Sequence, residues 1–172
     1  MKFELPHATN GLLSFFQASV TDPMNLERLD FLATADTGYW NMFPEAADCV
    51  YFGQSCYQAR QGFAYTTQDV TTNTPTTTYC RAPASVQGVA ATEYALEHLA
   101  MTLGLDPLEL RMANLVSDGD ATNENVVIGP VPILDMVQTL KARCDYDQRV
   151  LDIQTFNQVR TEKNRHQGWQ CI

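Results

Sequence analysis

Residues 86–116 read VQGVAATEYALEHLAMTLGLDPLELRMANLV, and two helices with the turn between them are written into that stretch. Val86, Val89, Leu96, Ala100 and Leu103 recur at steps of three, four and seven residues, which lines up one apolar helical face. Gly104 stands where a left-handed C-terminal cap is expected. Asp106, Pro107 and Glu109 then occupy the N-cap, first and third positions of a second helix, a capping-box order, with Leu108, Met112 and Leu115 along one side. The spacing predicts helices near 87–103 and 107–115 joined by a tight turn.

Working outward, ERLDFLATAD (27–36) and QGFAYTTQDV (61–70) are short, partly alternating and rich in residues that suit a pleated surface, so both read as strands. Residues 117–131 are polar and punctuated by Gly and Pro, which marks a loop. Two further helical patterns follow, PILDMVQTLKARC (132–144) and DQRVLDIQTFNQVRTEKNRH (147–166), the second long, charged and only moderately amphipathic. The expected fold class is α+β, with few strands in the N-terminal half and a helix-rich C-terminal half.

At 172 residues and 45% hydrophobic content the chain is long enough to bury a core within one domain. Its 20 acidic and 11 basic residues give a net charge of −9, and no Lys/Arg stripe exists to neutralise a phosphate backbone, so nucleic acid is not an expected partner. No apolar run approaches the roughly 20 residues of a membrane-spanning helix, and the first residues, MKFELP, lack the apolar region of a signal peptide. No membrane partner is expected, and the expected location is the cytoplasm. Five cysteines without a CxxC pair and three well-separated histidines support neither a zinc site nor a disulfide framework.

Several residues invite a functional reading and have a plainer one. SDGDATNEN (117–125) holds acidic oxygens but lacks the alternating spacing and closing Glu of a calcium loop, so it reads as a solvated loop. Glu93 and Glu97 lie one turn apart and read as a solvated face. His98 has no base partner that the sequence can name.

The stretch TNTPTTTYCRAPASVQG (72–88) carries more. An extended, threonine-rich segment runs into small residues at Ala82, Ala84 and Ser85, and a helix beginning near Val86 presents free N–H groups and the positive end of its dipole. Arg81 adds a permanent charge and a planar fork of donors suited to oxo groups or phosphate. By physics alone this turn is either an anion site or a helix start with a surface arginine beside it.

The order Asn73-Thr74-Pro75, Thr78-Tyr79-Cys80-Arg81-Ala82-Pro83 and Gln87-Gly88, followed by the helix pair, resembles the molybdenum-binding region of the xanthine dehydrogenase and aldehyde oxidase family. Members commonly read T-N-x-x-x-N-T-x-F-R-G-F-G-x-P-Q-G, then a helix, then G-L-x-x-x-x-V-R-x-x-N. The likeness is clearest from Thr72 to Val116. LDFLATADTGYWN (29–41) resembles the family's sheet strand and glycine turn, and HQGWQCI (166–172) resembles the segment leading into its W-x-x-R-G strand.

The resemblance implies that residues 1–172 form a single, partial molybdopterin-binding domain. It implies that Arg81 and Cys80 bind the molybdenum cofactor, with Arg81 placing the metal centre, and that Pro83 faces substrate. Cys80 takes the place of a phenylalanine, and Pro83 stands where many members have a substrate-stacking phenylalanine; with the C-R-A-P form, this leans the reading toward aldehyde oxidase-like members. Family chemistry is hydroxylation of an aldehyde or electron-poor heterocycle at molybdenum, with a glutamate base, and electrons leave through iron–sulfur clusters and FAD. No cluster or flavin pattern and no counterpart of that glutamate occurs here, so no catalytic residue is assigned, Glu93 included, and the isolated chain is not expected to oxidise aldehydes. Members are typically homodimers.

Three readings stand: a fragment of a molybdenum hydroxylase contributing to cofactor binding, a non-catalytic short paralogue acting as a binding or interaction protein, and an unrelated α+β domain whose turn holds a small anion.

Overall fold

The computed structural model describes residues 2–9, 12–22, 24–40, 45–53, 55–59, 62–76, 81–121, 127 and 129–159. They divide into two compact units, Met1–Val131 and Pro132–Ile172.

The first unit is a four-stranded sheet carrying helices. Strands β1 (Lys2–Thr9), β2 (Leu12–Asp22) and β3 (Asn25–Gly38) form an antiparallel meander. Helix α1 (Glu45–Gly53) then crosses over, so that β4 (Phe63–Thr71) joins β3 in parallel and the order is β1-β2-β3-β4. A parallel neighbour requires such a crossover, whereas the antiparallel pairs need only short turns. Along β3 the alternation is clean: Leu29, Phe31, Ala33 and Ala35 are buried while Arg28 and Leu32 on the other face are exposed.

Helix α2 (Ser85–Leu103) and helix α3 (Pro107–Asn114) complete the unit. Element contacts put α1 against β3 and β4, and α2 against β1, β2 and α1. Ala91, Ala95, Leu96, Leu99 and Ala100 of α2 close the core with Leu110 of α3 and Cys49 of α1. The α1–α2 crossing depends on two glycines: a Cβ at Gly88 would collide with the Cys49 carbonyl oxygen, and one at Gly53 would lie 2.7 Å from the Gly88 carbonyl oxygen. Helix axes approach this closely only where side chains are missing.

The caps read from sequence are in place. Gly104 adopts φ 68° and its N–H reaches the Ala100 and Met101 carbonyls, while the Asp106 carboxylate accepts from the N–H groups of Leu108 and Glu109. Asn114 fastens α3 to the sheet: its amide donates to the Met24 and Leu110 carbonyls at 2.9 and 2.7 Å and accepts from the Leu26 N–H at 2.8 Å. In the polar loop, the Asp118 and Asp120 carboxylates accept backbone N–H groups of Val131 and Ser117.

The second unit contains α4 (Ile133–Arg143) and α5 (Tyr146–Val159), joined through Asp145 at φ 50°. Lys141 pairs with Asp147 at 3.2 Å and lies over the Tyr146 ring. Among the described residues no helix is long and apolar enough to cross a membrane.

The strands near 27–36 and 61–70 and the first three helices read from the sequence are present within a few residues of their expected limits; the fourth starts as expected, at Tyr146, and is described to Val159, while the rest of the 147–166 reading lies outside the described residues. Strands β1 and β2 and helix α1 are additions. HQGWQCI (166–172) lies outside the described residues.

Candidate functional site

The turn that opens α2 is built from Arg81 to Gly88. Arg81 and Ala82 are exposed, Pro83 is half-buried and Ala84 is buried. Cys80 lies outside the described residues. Ala82 and Ala84 both sit in the left-handed region, at φ 61° and 54°, a conformation that costs a residue with a Cβ on the order of 1–2 kcal/mol. Ser85 braces the turn, donating its hydroxyl to the Ala82 carbonyl at 2.9 Å and its N–H to the Pro83 carbonyl at 2.7 Å. The first helical bond runs from the Gly88 N–H to the Ala84 carbonyl at 2.9 Å.

That geometry leaves the helix start electropositive. Ala84, the N-cap, has no side chain able to cap, and the first turn of α2 contains no acidic residue. The N–H groups at the start of α2 thus receive no capping bond from the N-cap side chain, and no carboxylate within the first turn offsets the dipole end. Arg81 stands beside it, a guanidinium four residues before the helix.

The segment feeding this turn is Thr72–Thr76. Asp36 Oδ1 accepts from the Thr72 hydroxyl at 2.7 Å and from the Gly38 N–H at 2.9 Å. These two donors, the Gly38 amide foremost, hold the Asp36 carboxyl below its usual range. Further along, the Thr76 hydroxyl is buried with no hydrogen-bond partner among the described residues. A buried hydroxyl without a partner is costly, and the Thr92 hydroxyl in the α1–α2 seam is a second such group.

Behind the turn, α2 carries a network that sequence reading misjudged. Glu93 and Glu97 are not a solvated pair. Arg111, whose side chain is 10% exposed, reaches across from α3 to Glu93 at 2.7 Å and Glu97 at 3.0 Å, and also donates to the Glu93 and Pro107 carbonyls. The Tyr57 hydroxyl donates to the other Glu93 oxygen at 2.6 Å. Burial, then the Glu93 charge and hydrogen bond, push the Tyr57 phenol well up from its usual value. With both oxygens occupied, Glu93 is a structural anion. His98 packs against the Tyr94 ring, centroids 5.0 Å apart.

A family model described as "Molybdopterin cofactor-binding domain" matches residues 13–115, more than half of the chain. The chain belongs to that family. It is 29% identical over 94 residues to a xanthine dehydrogenase/oxidase of Mus musculus, an alignment covering 55% of this chain and 7% of that protein. Among solved structures, an aldehyde oxidoreductase from Desulfovibrio gigas superposes with a TM-score of 0.71 at 22% identity, over 84% of this chain and 16% of that one. Quinoline 2-oxidoreductase from Pseudomonas putida 86 gives 0.74 at 16% identity, over 85% and 20%. A CO dehydrogenase from Oligotropha carboxidovorans gives 0.71 at 15% identity, over 86% and 19%. The molybdopterin-domain chain thus spans a small part of the length of each relative, and the structural likenesses establish the shared fold.

Family membership gives the two left-handed alanines a meaning. The family pattern places glycine at the positions of Ala82 and Ala84, and the backbone here keeps a glycine-type conformation with alanine in it. The R-G-F-G pattern was the signal from which those two φ angles were foreseeable.

Proposed function

We propose that residues 1–172 form part of one molybdopterin-binding domain of a molybdenum hydroxylase acting on a small aldehyde or electron-poor heterocycle, and that the Arg81–Gly88 turn contributes to holding its cofactor. The family match across residues 13–115, which includes this turn, carries the reading. When bound, that cofactor supplies the oxygen-transfer and redox chemistry, with iron–sulfur clusters and FAD serving as electron carriers in such enzymes.

The local chemistry fits an anionic, hydrogen-bonding group. Uncapped N–H donors at the start of α2, the absence of carboxylates in its first turn and the exposed Arg81 favour negative charge. In this reading Arg81 and the α2 N–H groups orient the cofactor, and Cys80 is a further cofactor-binding residue implied by the family resemblance. Pro83, half-buried and without an aromatic face, lines the substrate side and favours substrates that do not depend on ring stacking at that position.

The test compares Arg81→Ala and Arg81→Lys with the wild type in the complete translated polypeptide. Bound pterin is read as its fluorescent oxidation product, and molybdenum by mass spectrometry. Loss of one charge-assisted contact of about 1.5–3 kcal/mol lowers occupancy roughly ten- to a hundredfold in Arg81→Ala, with partial recovery in Arg81→Lys because a point charge lacks the planar fork. Equal occupancy in all three removes Arg81 from the site, and a wild type that retains no pterin refutes the cofactor reading.

A further inference from the structure

Past the last pair of the β3–β4 ladder, the chain is gripped by a clasp made at the end of β3. The Gly38 carbonyl accepts from the Thr72 N–H at 2.8 Å, and the Tyr39 N–H donates to the Thr74 carbonyl at 3.0 Å. Asp36 adds its contact to the Thr72 hydroxyl, which itself lies 2.9 Å from the Thr74 hydroxyl. Gly38 is the only type of residue this clasp tolerates: its φ is +74°, and a Cβ there would collide with the Pro75 carbonyl. The other end of the connection is fixed by Ser85 bracing Ala82 and Pro83.

We propose that Asp36 and Gly38 are positioning residues for the cofactor-binding turn, fixing Thr72–Pro75 so that the chain reaches Arg81 from a set point and direction. The proposal rests on the cofactor reading above. Only residues 76–80 separate the clasp from Arg81, so an anchor at Pro75 restricts where the guanidinium can stand. Each residue left free before binding would have to be ordered when the cofactor binds, which weakens binding. A clasp formed in the free protein removes that cost in advance. Asp36 is ionised at neutral pH, so its contacts to Thr72 and Gly38 are of the stronger, charge-assisted kind.

The experiment uses the complete translated polypeptide with Asp36→Ala, Asp36→Asn and Gly38→Ala. Leu29→Ala, a core truncation in the same strand, serves as a control for stability loss alone. Bound pterin and its dissociation rate are measured below the melting temperature of every variant. Asp36→Ala and Gly38→Ala are expected to lower pterin retention about tenfold or more, and Asp36→Asn, which keeps an oxygen acceptor, by less. Leu29→Ala keeps its pterin despite an equal or larger drop in melting temperature. Should Gly38→Ala not fold, the graded Asp36 pair decides. Retention that merely follows melting temperature across all variants, Leu29→Ala included, overturns the positioning role. A depleted Arg81→Ala beside a fully loaded Asp36→Ala overturns the clasp and leaves the cofactor reading intact, whereas a wild type without pterin removes both.

Discussion

Arg111 Nε lies 2.7 Å from Glu93 Oε2, joining α3 to α2 by a charge pair whose guanidinium is largely withdrawn from water and whose carboxylate is about a third exposed. The same guanidinium holds Glu97, one turn further along α2, and the backbone carbonyls of Glu93 and Pro107. A single guanidinium thus bridges two carboxylates that would otherwise repel each other at i, i+4, offsetting one of their two charges and screening the repulsion between them.

Replacing Arg111 with Met keeps the volume and leaves Glu93 and Glu97 facing each other without a cation. The expected loss is about 2–4 kcal/mol, below the full figure for buried pairs because the glutamates are partly solvated. Glu93→Gln/Glu97→Gln in the Arg111→Met background restores part of it by removing the stranded charges. Urea denaturation of the three proteins measures both steps, and a change under about 0.5 kcal/mol for Arg111→Met would reduce the network to a surface arrangement.

The legibility of this chain followed the range of the forces involved. Helices α2 and α3 were readable because Gly104, Asp106, Pro107 and Glu109 act within a turn or two of themselves, and β3 because its apolar residues alternate. Helix α1 was not: it has nine residues, and its place is set by Gly88, 35 or more residues away in the sequence, meeting the Cys49 carbonyl. Strand β1 contains Pro6 and pairs as an edge, and β2 opens on LLSFF without alternation, so their pairing is a tertiary outcome. The site divides in the same way. The Arg81 turn was visible as a motif, whereas the Asp36–Thr72 contact and the Arg111 network join residues distant in sequence that no local pattern connects.

The Cys49 thiol, on α1 and buried in the core, is pushed up to about 12 from an ordinary 9.0 by desolvation. A proton held more tightly in the folded state gives stability that is complete below pH 9 and declines as the pH rises toward 12, because the unfolded chain ionises first. Stability is expected to fall above pH 9 in the wild type, and less steeply in Cys49→Ala. In native protein at pH 7.5, iodoacetamide is expected to modify the exposed Cys56 and spare Cys49. Peptide mass spectrometry reads the labelling, and equal labelling of the two would contradict the burial.

The two left-handed alanines of the Arg81–Gly88 turn make paired tests of the same strain. At Ala82 the methyl is exposed, so glycine relieves a left-handed cost of about 1–2 kcal/mol and gives back about 0.4–1 kcal/mol through a freer unfolded chain. Ala82→Gly is therefore expected to stabilise by about 0.5–1 kcal/mol. At Ala84 the methyl packs into the core, and its removal costs roughly another 0.8 kcal/mol, so Ala84→Gly is expected to be close to neutral. Melting temperatures and urea midpoints of the two variants separate the contributions. If Ala82→Gly lowers stability instead, the left-handed turn is not strained by alanine, and the departure from the family's glycines at this position is without energetic consequence.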